Sequence, residues 1–225
     1  MPDPARGVIC DMDGLLVDSE PLYKVAWQNA ARALGIDLSD AVYATLVGRT
    51  EADSEIEMVA IFGETFPVVE FRARWDADWR ARAASGQLRP MAGARDLLET
   101  LRLRGVPLAL ATSSRRVYTT LSLAATDLSS YFDAIVTVDQ VKRGKPAPDL
   151  YLLAAEKLGL PPASCVALED SDAGASAAVA AGMRVFVIPD LVPPSAQSLV
   201  GIAGVFESLE HATPAILQAL GCDTA

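Results

Sequence analysis

The chain has 225 residues, of which 51% are hydrophobic and 21% are charged, and its formal net charge at pH 7 is −10. This apolar content predicts a packed globular protein and argues against a disordered one. Nucleic acids and anionic lipids attract basic surfaces, so the acidic charge disfavours both as partners. We therefore expect no nucleic-acid partner and no membrane association. A phosphorylated ligand would need a locally positive site.

The N-terminal sequence and the cysteines indicate a cytoplasmic protein. Residues 1–7 lack the basic region and the apolar stretch of a signal peptide. No run of about 18 apolar residues is available to span a bilayer. The three cysteines have no metal-ligand spacing, and Cys10 and Cys165 lie in apolar runs that are typical of buried thiols.

Short β-rich runs alternate with helical patterns along the chain and end at polar residues. The runs cover residues 8–10, 108–111, 134–136, 165–168 and 185–188. Continuous apolar strands that alternate with helices predict a parallel sheet with helices on both faces. The expected fold class is therefore α/β, with a Rossmann-like, doubly wound parallel sheet as its core.

The region from residue 19 to residue 88 interrupts this alternation. Its pattern predicts several helices, and it holds Trp27, Trp75 and Trp79, which we expect to lie in its core. Because the region lies between the first and second predicted strands, it is an insert. We expect residues 1–18 and 89–225 to form the Rossmann-like catalytic core. Residues 19–88 are expected to form a helical cap domain that serves as a lid.

Polar side chains follow three of the predicted strands. Asp11 and Asp13 follow the first strand, residues 112–115 follow the second, and Glu169 and Asp170 follow the fourth. In an open parallel sheet, ligands bind beyond the carboxyl ends of the strands. Several carboxylates that converge there would repel one another unless a hard divalent cation lies among them, and Mg²⁺ suits oxygen ligands.

These residue types are suited to phosphoryl transfer. An aspartate can act as a nucleophile and give an aspartyl-phosphate intermediate. Hydroxyl groups, backbone N–H groups and cations can hold the phosphoryl oxygens while charge moves. Side chains of these kinds are supplied by Thr112, Ser114, Arg115 and Lys145.

Four segments resemble, in order and spacing, the four motifs of the haloacid dehalogenase-like hydrolase superfamily. They are residues 11–20, residues 108–114, residues 145–149, and residues 168–171 with Gly174. Each motif alone is a weak signal, but four in the expected structural context are a strong one. The resemblance extends from Gly7 to about Pro194. The insert resembles the helical cap of the β-phosphoglucomutase-like and sugar-phosphate phosphatase branch.

The resemblance also implies a role for each matching residue. Asp11 is implied as the nucleophile and Asp13 as the general acid and base. The implied Mg²⁺ ligands are Asp11, Asp13 through its backbone carbonyl, Glu169 directly or through water, and Asp170. The implied phosphate-binding residues are Thr112, Ser113, Ser114, Arg115 and Lys145.

Some of these residues have simpler interpretations. Thr112 could cap the following helix, and Arg115 could be an ordinary exposed residue of its first turn. His211, the single histidine, lies far from every motif and is expected at the surface, which argues against Ser-His-Asp catalysis.

The function expected is a Mg²⁺-dependent phosphatase that acts as a monomer on a small phosphorylated metabolite, a sugar phosphate. The main alternative is a β-phosphoglucomutase-like phosphomutase. The family's mutases carry a histidine where this chain has Tyr23, and Arg49 lies one or two positions from where their second phosphate site would require it. A metal-free dehalogenase has no use for Asp13 and the acidic pair, and a non-catalytic binding module would lack a catalytic residue.

Overall fold

The computed structural model describes residues 4–47 and 51–222, and of residues 51 and 52 only the backbone. Arg49, the residue considered for a second phosphate site, lies outside the described residues. The chain folds into two compact units. One, the sheet unit, comprises Met1–Asp18 and Arg89–Ala225, and the other, the helical unit, comprises Ser19–Leu88. The roles of catalytic core and cap stay predictions.

The sheet unit is built on six parallel strands. The strands of the chain are β1 (Gly7–Cys10), β2 (Val17–Asp18), β3 (Arg89–Pro90), β4 (Leu108–Thr112), β5 (Ala134–Thr137), β6 (Cys165–Glu169), β7 (Arg184–Val187) and β8 (Gly204–Val205). The sheet has the order β5-β4-β1-β6-β7-β8, and all its neighbouring strands pair in parallel. The expected α/β class with a parallel sheet is confirmed.

Helices cover the sheet and make up the helical unit. They are α1 (Glu20–Ala33), α2 (Asp40–Ala44), α3 (Glu51–Phe62), α4 (Val68–Ala84), α5 (Ala94–Leu103), α6 (Arg116–Thr126), α7 (Asp149–Leu158), α8 (Asp172–Ala180) and α9 (Leu209–Ala219). Strands β1, β4 and β6 are buried along their whole length, and except for Thr112 and Glu169 at the ends of β4 and β6 their residues are apolar on both faces. Among the described residues, no helix has the length and apolar sequence needed to cross a lipid bilayer.

The helical unit is held together by an aromatic core between α1 and α4. Trp27 on α1 meets Phe71 and Trp75 on α4, with ring centroids 5.6 and 6.0 Å apart. Tyr23 stacks on Trp79 at 5.4 Å with an interplanar angle of 28°. All three tryptophans are buried, which confirms their expected place in the core. Such aromatic pairs add to the stability gained from burial alone.

We expect Trp79→Ala to lower the free energy of unfolding by about 3–5 kcal/mol, because a fully buried indole is replaced by a cavity. Urea unfolding followed by circular dichroism measures the loss. Val69→Ala on the same helix is the control, since Val69 is 80% exposed and its truncation is expected to change stability by less than about 0.5 kcal/mol. Equal losses for the two variants would show that the aromatic core does not stabilise this unit.

Candidate active site

The strand order brings three polar strand ends to one edge of the sheet. From β1 the chain builds the sheet in one direction through β4 and β5, and then in the other through β6, β7 and β8. β1 therefore pairs with both β4 and β6 at the point where the order reverses. Crevices at such reversal points are the usual ligand sites of open parallel sheets. Asp11, Thr112 and Glu169 lie at this edge.

Three carboxylates meet at this edge and are called here the carboxylate cluster: Asp11, Glu169 and Asp170. One oxygen from each lies within 4.8 Å of the others. Asp11 is 6% exposed and Glu169 is fully buried. Burial first, and then the charges of Asp11 and Glu169, raise the pKa of Asp170 well above its ordinary value.

Lys145 supplies a cation inside the carboxylate cluster. Its ammonium group donates hydrogen bonds to Asp11 Oδ1 and Glu169 Oε1, each at 2.5 Å. Burial lowers the pKa of Lys145, but the two carboxylates outweigh burial and hold that pKa above its ordinary value. The pKa of Asp11 is raised to about 7, chiefly by burial, because Lys145 lowers the pKa by less than burial raises it.

The charge balance of the carboxylate cluster fits a divalent cation. When all groups are ionised, three carboxylates and the Lys145 ammonium leave a net charge of −2 in a buried place. Carboxylate oxygens at this spacing are the ligands that hard divalent cations prefer. The three expected side-chain ligands are therefore brought together, and they form a candidate metal site.

Two glycines allow the carboxylate cluster to pack against backbone. Gly174, in the first turn of α8, leaves the space that the Glu169 carboxyl group fills, and a Cβ at this position would collide with all three atoms of that group. Gly14 has a φ of +79°, and a Cβ there would collide with the carboxylate of Asp170. Only glycine combines this backbone angle with so close an approach.

Asp13 is oriented by a hydrogen bond from the segment that follows β4. Ser114 Oγ donates a hydrogen bond of 2.7 Å to Asp13 Oδ2. Thr112 is buried, and its hydroxyl oxygen accepts a hydrogen bond of 3.0 Å from the Ser114 backbone N–H. The alternative role of Thr112 as a helix cap is wrong, because the N-cap of α6 is Arg115. Ser113 and Arg115 are exposed beside that helix N-terminus.

His211, Cys10 and Cys165 lie where the sequence predicts them. His211 is exposed on α9, where the backbone N–H of His211 bonds to Ser208 Oγ. The three cysteines are free thiols, and Cys10 and Cys165 are buried.

Tyr151 contacts the site but is not marked by any sequence motif. It is fully buried on α7, and its hydroxyl group donates a hydrogen bond of 2.5 Å to Glu169 Oε1. In the sequence it is one more bulky residue among the buried positions of that helix, such as Leu150 and Ala154. The sequence feature that could have pointed to Tyr151 is its hydroxyl group, because a hydroxyl group in a buried position needs a hydrogen-bond partner.

A comparison with protein-family models identifies the family of the chain. Residues 5–182 match the family model described as haloacid dehalogenase-like hydrolase. This match covers more than half of the chain, so the chain belongs to the haloacid dehalogenase-like hydrolase family.

Two curated relatives are phosphatases. The chain is 35% identical over 179 residues to the Phosphorylated carbohydrates phosphatase of Thermotoga maritima, covering 80% of this chain and 82% of that protein. It is 34% identical over 213 residues to Hexitol phosphatase A of Escherichia coli, covering 92% and 93%. The expected enzyme class, a phosphatase of this family, is confirmed.

Solved structures share the whole fold. A family hydrolase from Deinococcus radiodurans, with bound phosphate and sodium, is 30% identical with a TM-score of 0.81, and 99% of each chain is covered. A Thermotoga maritima protein described as a β-phosphoglucomutase is 30% identical with a TM-score of 0.78, covering 96% of this chain and 98% of that one. The expected branch of the family is confirmed: the chain is close to sugar-phosphate phosphatases and β-phosphoglucomutase-like proteins. The monomeric state stays a prediction.

We expect Gly174→Ala to destabilise the protein by about 1–3 kcal/mol, because the new methyl group overlaps the Glu169 carboxyl group. In an ordinary helix the same change stabilises by about 0.5–1 kcal/mol, so the sign of the effect is informative. Urea unfolding measures it, and Ser176→Ala at an exposed position of the same helix is the control. A Gly174→Ala protein as stable as the wild type would show that Glu169 is not held against α8.

Proposed function

We propose that the chain is a Mg²⁺-dependent phosphatase that hydrolyses a small phosphate monoester, a sugar phosphate, through a phosphorylated Asp11. The observation that carries this proposal is the buried Lys145 ammonium that joins Asp11 to Glu169 beside a third carboxylate. This arrangement combines a nucleophile, a cation for the phosphoryl group and oxygen ligands for a metal.

Asp11 is the proposed nucleophile. One of its carboxylate oxygens attacks phosphorus, a P–O bond to Asp11 forms, and the P–O bond to the sugar breaks. Asp13 gives its proton to the departing sugar oxygen. It then takes a proton from the water that attacks phosphorus, which releases inorganic phosphate and restores Asp11. The Ser114 hydroxyl group, at 2.7 Å, holds the Asp13 carboxylate for both transfers.

Mg²⁺ is the cation that we assign to the carboxylate cluster. When bound, it supplies positive charge that lets Asp11 and the phosphate approach each other and that polarises a phosphate oxygen. Asp11, Glu169 and Asp170 would hold it, together with the backbone carbonyl of Asp13. The same positive charge would keep Asp11 ionised at a pH where burial alone favours its protonation.

The phosphate group is proposed to lie between Lys145 and the loop that leads into α6. This loop offers hydroxyl groups and backbone N–H groups at a helix N-terminus, which is a favourable place for an anion. Its residues are Thr112, Ser113, Ser114 and Arg115. Lys145 contributes a full positive charge at the site of a chain whose formal net charge is −10.

The likeness to carbohydrate and hexitol phosphatases supports a phosphorylated sugar as the substrate. The likeness to a protein described as a β-phosphoglucomutase keeps phosphomutase activity as a second candidate. Tyr23 argues against phosphomutase activity, because the family's mutases carry a histidine at this position. Tyrosine has an unperturbed pKa near 10, so it is a poor replacement for a histidine that carries protons near neutral pH. Metal-free dehalogenation is disfavoured because it leaves the carboxylate cluster without a purpose.

We expect a panel of hexose, pentose and hexitol phosphates to yield inorganic phosphate in the presence of Mg²⁺, and EDTA to abolish release reversibly. Asp11→Asn is expected to abolish turnover, because an amide is not a useful nucleophile. Phosphate release in thoroughly chelated buffer, or near wild-type release by the variant, would contradict the proposal. Circular dichroism of the variant confirms that it is folded.

We expect Asp13→Asn to reduce turnover of a sugar phosphate by about a hundredfold or more, the size of a general acid–base contribution. An aryl phosphate has a better leaving group and needs less protonation, so its turnover should fall less. Steady-state kcat for both substrates, in variant and wild type, measures the difference. Equal losses would remove Asp13 from proton transfer to the leaving group.

Hydrolysis and isomerisation can be separated with one substrate. With β-glucose 1-phosphate and a bisphosphate primer, we expect inorganic phosphate to be released and no glucose 6-phosphate to accumulate. Isomerisation faster than phosphate release would show that the chain is a phosphomutase.

A further inference from the structure

Tyr151 is buried at the site, yet the proposed reaction leaves it without a task. It lies on α7, is fully buried, and touches two of the charged residues. Its hydroxyl group donates to Glu169 Oε1 at 2.5 Å, and the centre of its ring lies 5.2 Å from Lys145 Nζ. One side chain therefore contacts both the anion and the cation that adjoin Asp11.

The hydroxyl group of Tyr151 helps to fix Glu169 from one side. Glu169 Oε1 accepts hydrogen bonds from Tyr151 and Lys145, each at 2.5 Å. Glu169 Oε2 accepts from Ser171 Oγ at 3.1 Å and from the backbone N–H groups of Asp170 and Ser171 at 3.2 and 3.4 Å. Each oxygen is thus held by its own set of donors, and the plane of the carboxyl group is fixed.

The contact between Tyr151 and Lys145 restricts the ammonium group as well. A cation within about 6 Å of an aromatic ring centre is attracted to the face of the ring. Lys145 is held between this ring, Glu169 Oε1 and Asp11 Oδ1. If Glu169 rotates, the Lys145 ammonium loses a defined partner, and the spacing of the carboxylate cluster changes with it.

We propose that Tyr151 is a positioning residue for the metal site. Its hydroxyl group fixes Glu169 and, through Glu169, the relative placement of Lys145 and the carboxylate cluster. The inference rests on the proposed function to the extent that the cation held there is Mg²⁺. It adds to the proposed site a residue, Tyr151, that lies outside the four motifs. Outer hydrogen-bond partners of metal ligands act in this way, and their loss weakens metal binding or activity by about 10–100-fold.

The test compares Tyr151→Phe with a matched variant, Tyr43→Phe. Tyr43 is also buried and also donates its hydroxyl hydrogen to a glutamate, Glu20, at 2.8 Å, but it lies in the helical unit. Each variant therefore loses one hydrogen bond from a buried tyrosine to a glutamate and keeps its ring. Isothermal titration calorimetry with MgCl₂ alone measures Mg²⁺ affinity at a temperature where circular dichroism shows all three proteins folded.

We expect Tyr151→Phe to weaken Mg²⁺ binding by about tenfold or more, and Tyr43→Phe to leave it unchanged. In turnover assays the Mg²⁺ concentration for half-maximal rate should rise in parallel, and saturating Mg²⁺ should restore most of kcat. Wild-type affinity in Tyr151→Phe would overturn the role of Tyr151 and leave the proposed function intact. An equal loss in both variants would overturn it too. Failure of the wild type to bind Mg²⁺ would overturn both proposals.

Discussion

The site depends on the repulsion among three neighbouring carboxylates, two of them buried and one partly buried. Asp11, Glu169 and Asp170 bring oxygens within 4.8 Å of one another, and the burial of Asp11 and Glu169 reduces the screening of their charges by water. Lys145 neutralises only part of their charge. Hydrogen bonds hold these carboxylates in place, and either protonation or a further cation relieves the negative charge that Lys145 leaves. The proposed metal would supply this further cation.

Much of the surrounding structure serves this requirement. The order of the strands places β1 between β4 and β6, so residues from distant parts of the sequence reach the same edge of the sheet. Gly174 and Gly14 let two carboxyl groups lie directly against backbone. Tyr151 and Ser171 fill the hydrogen-bonding positions around Glu169 that Lys145 leaves open. The cluster is thus supported from α7, α8 and the loop after β1.

The sequence predicts the main elements of the sheet unit because its strands are short, apolar and separated by helices. It does not predict β8 or the two-residue pairing of β2 with β3, since two residues carry no periodicity. Asp11 and Glu169 are predictable because each is a polar residue that directly follows a run of buried apolar residues. The partners of Ser114 and Tyr151 are not, because their hydrogen bonds join residues 101 and 18 positions apart and depend on tertiary packing.

The proposed chemistry requires Asp11 to carry the phosphoryl group during turnover. This covalent step can be observed by acid quench of the enzyme during turnover of a phosphate-labelled sugar phosphate, followed by peptide mapping of the label. We expect label on the peptide that contains Asp11, loss of this label when unlabelled substrate is added before the quench, and none in Asp11→Asn. Label on another residue, or rapid turnover with no labelled enzyme at any quench time, would contradict a phosphorylated Asp11.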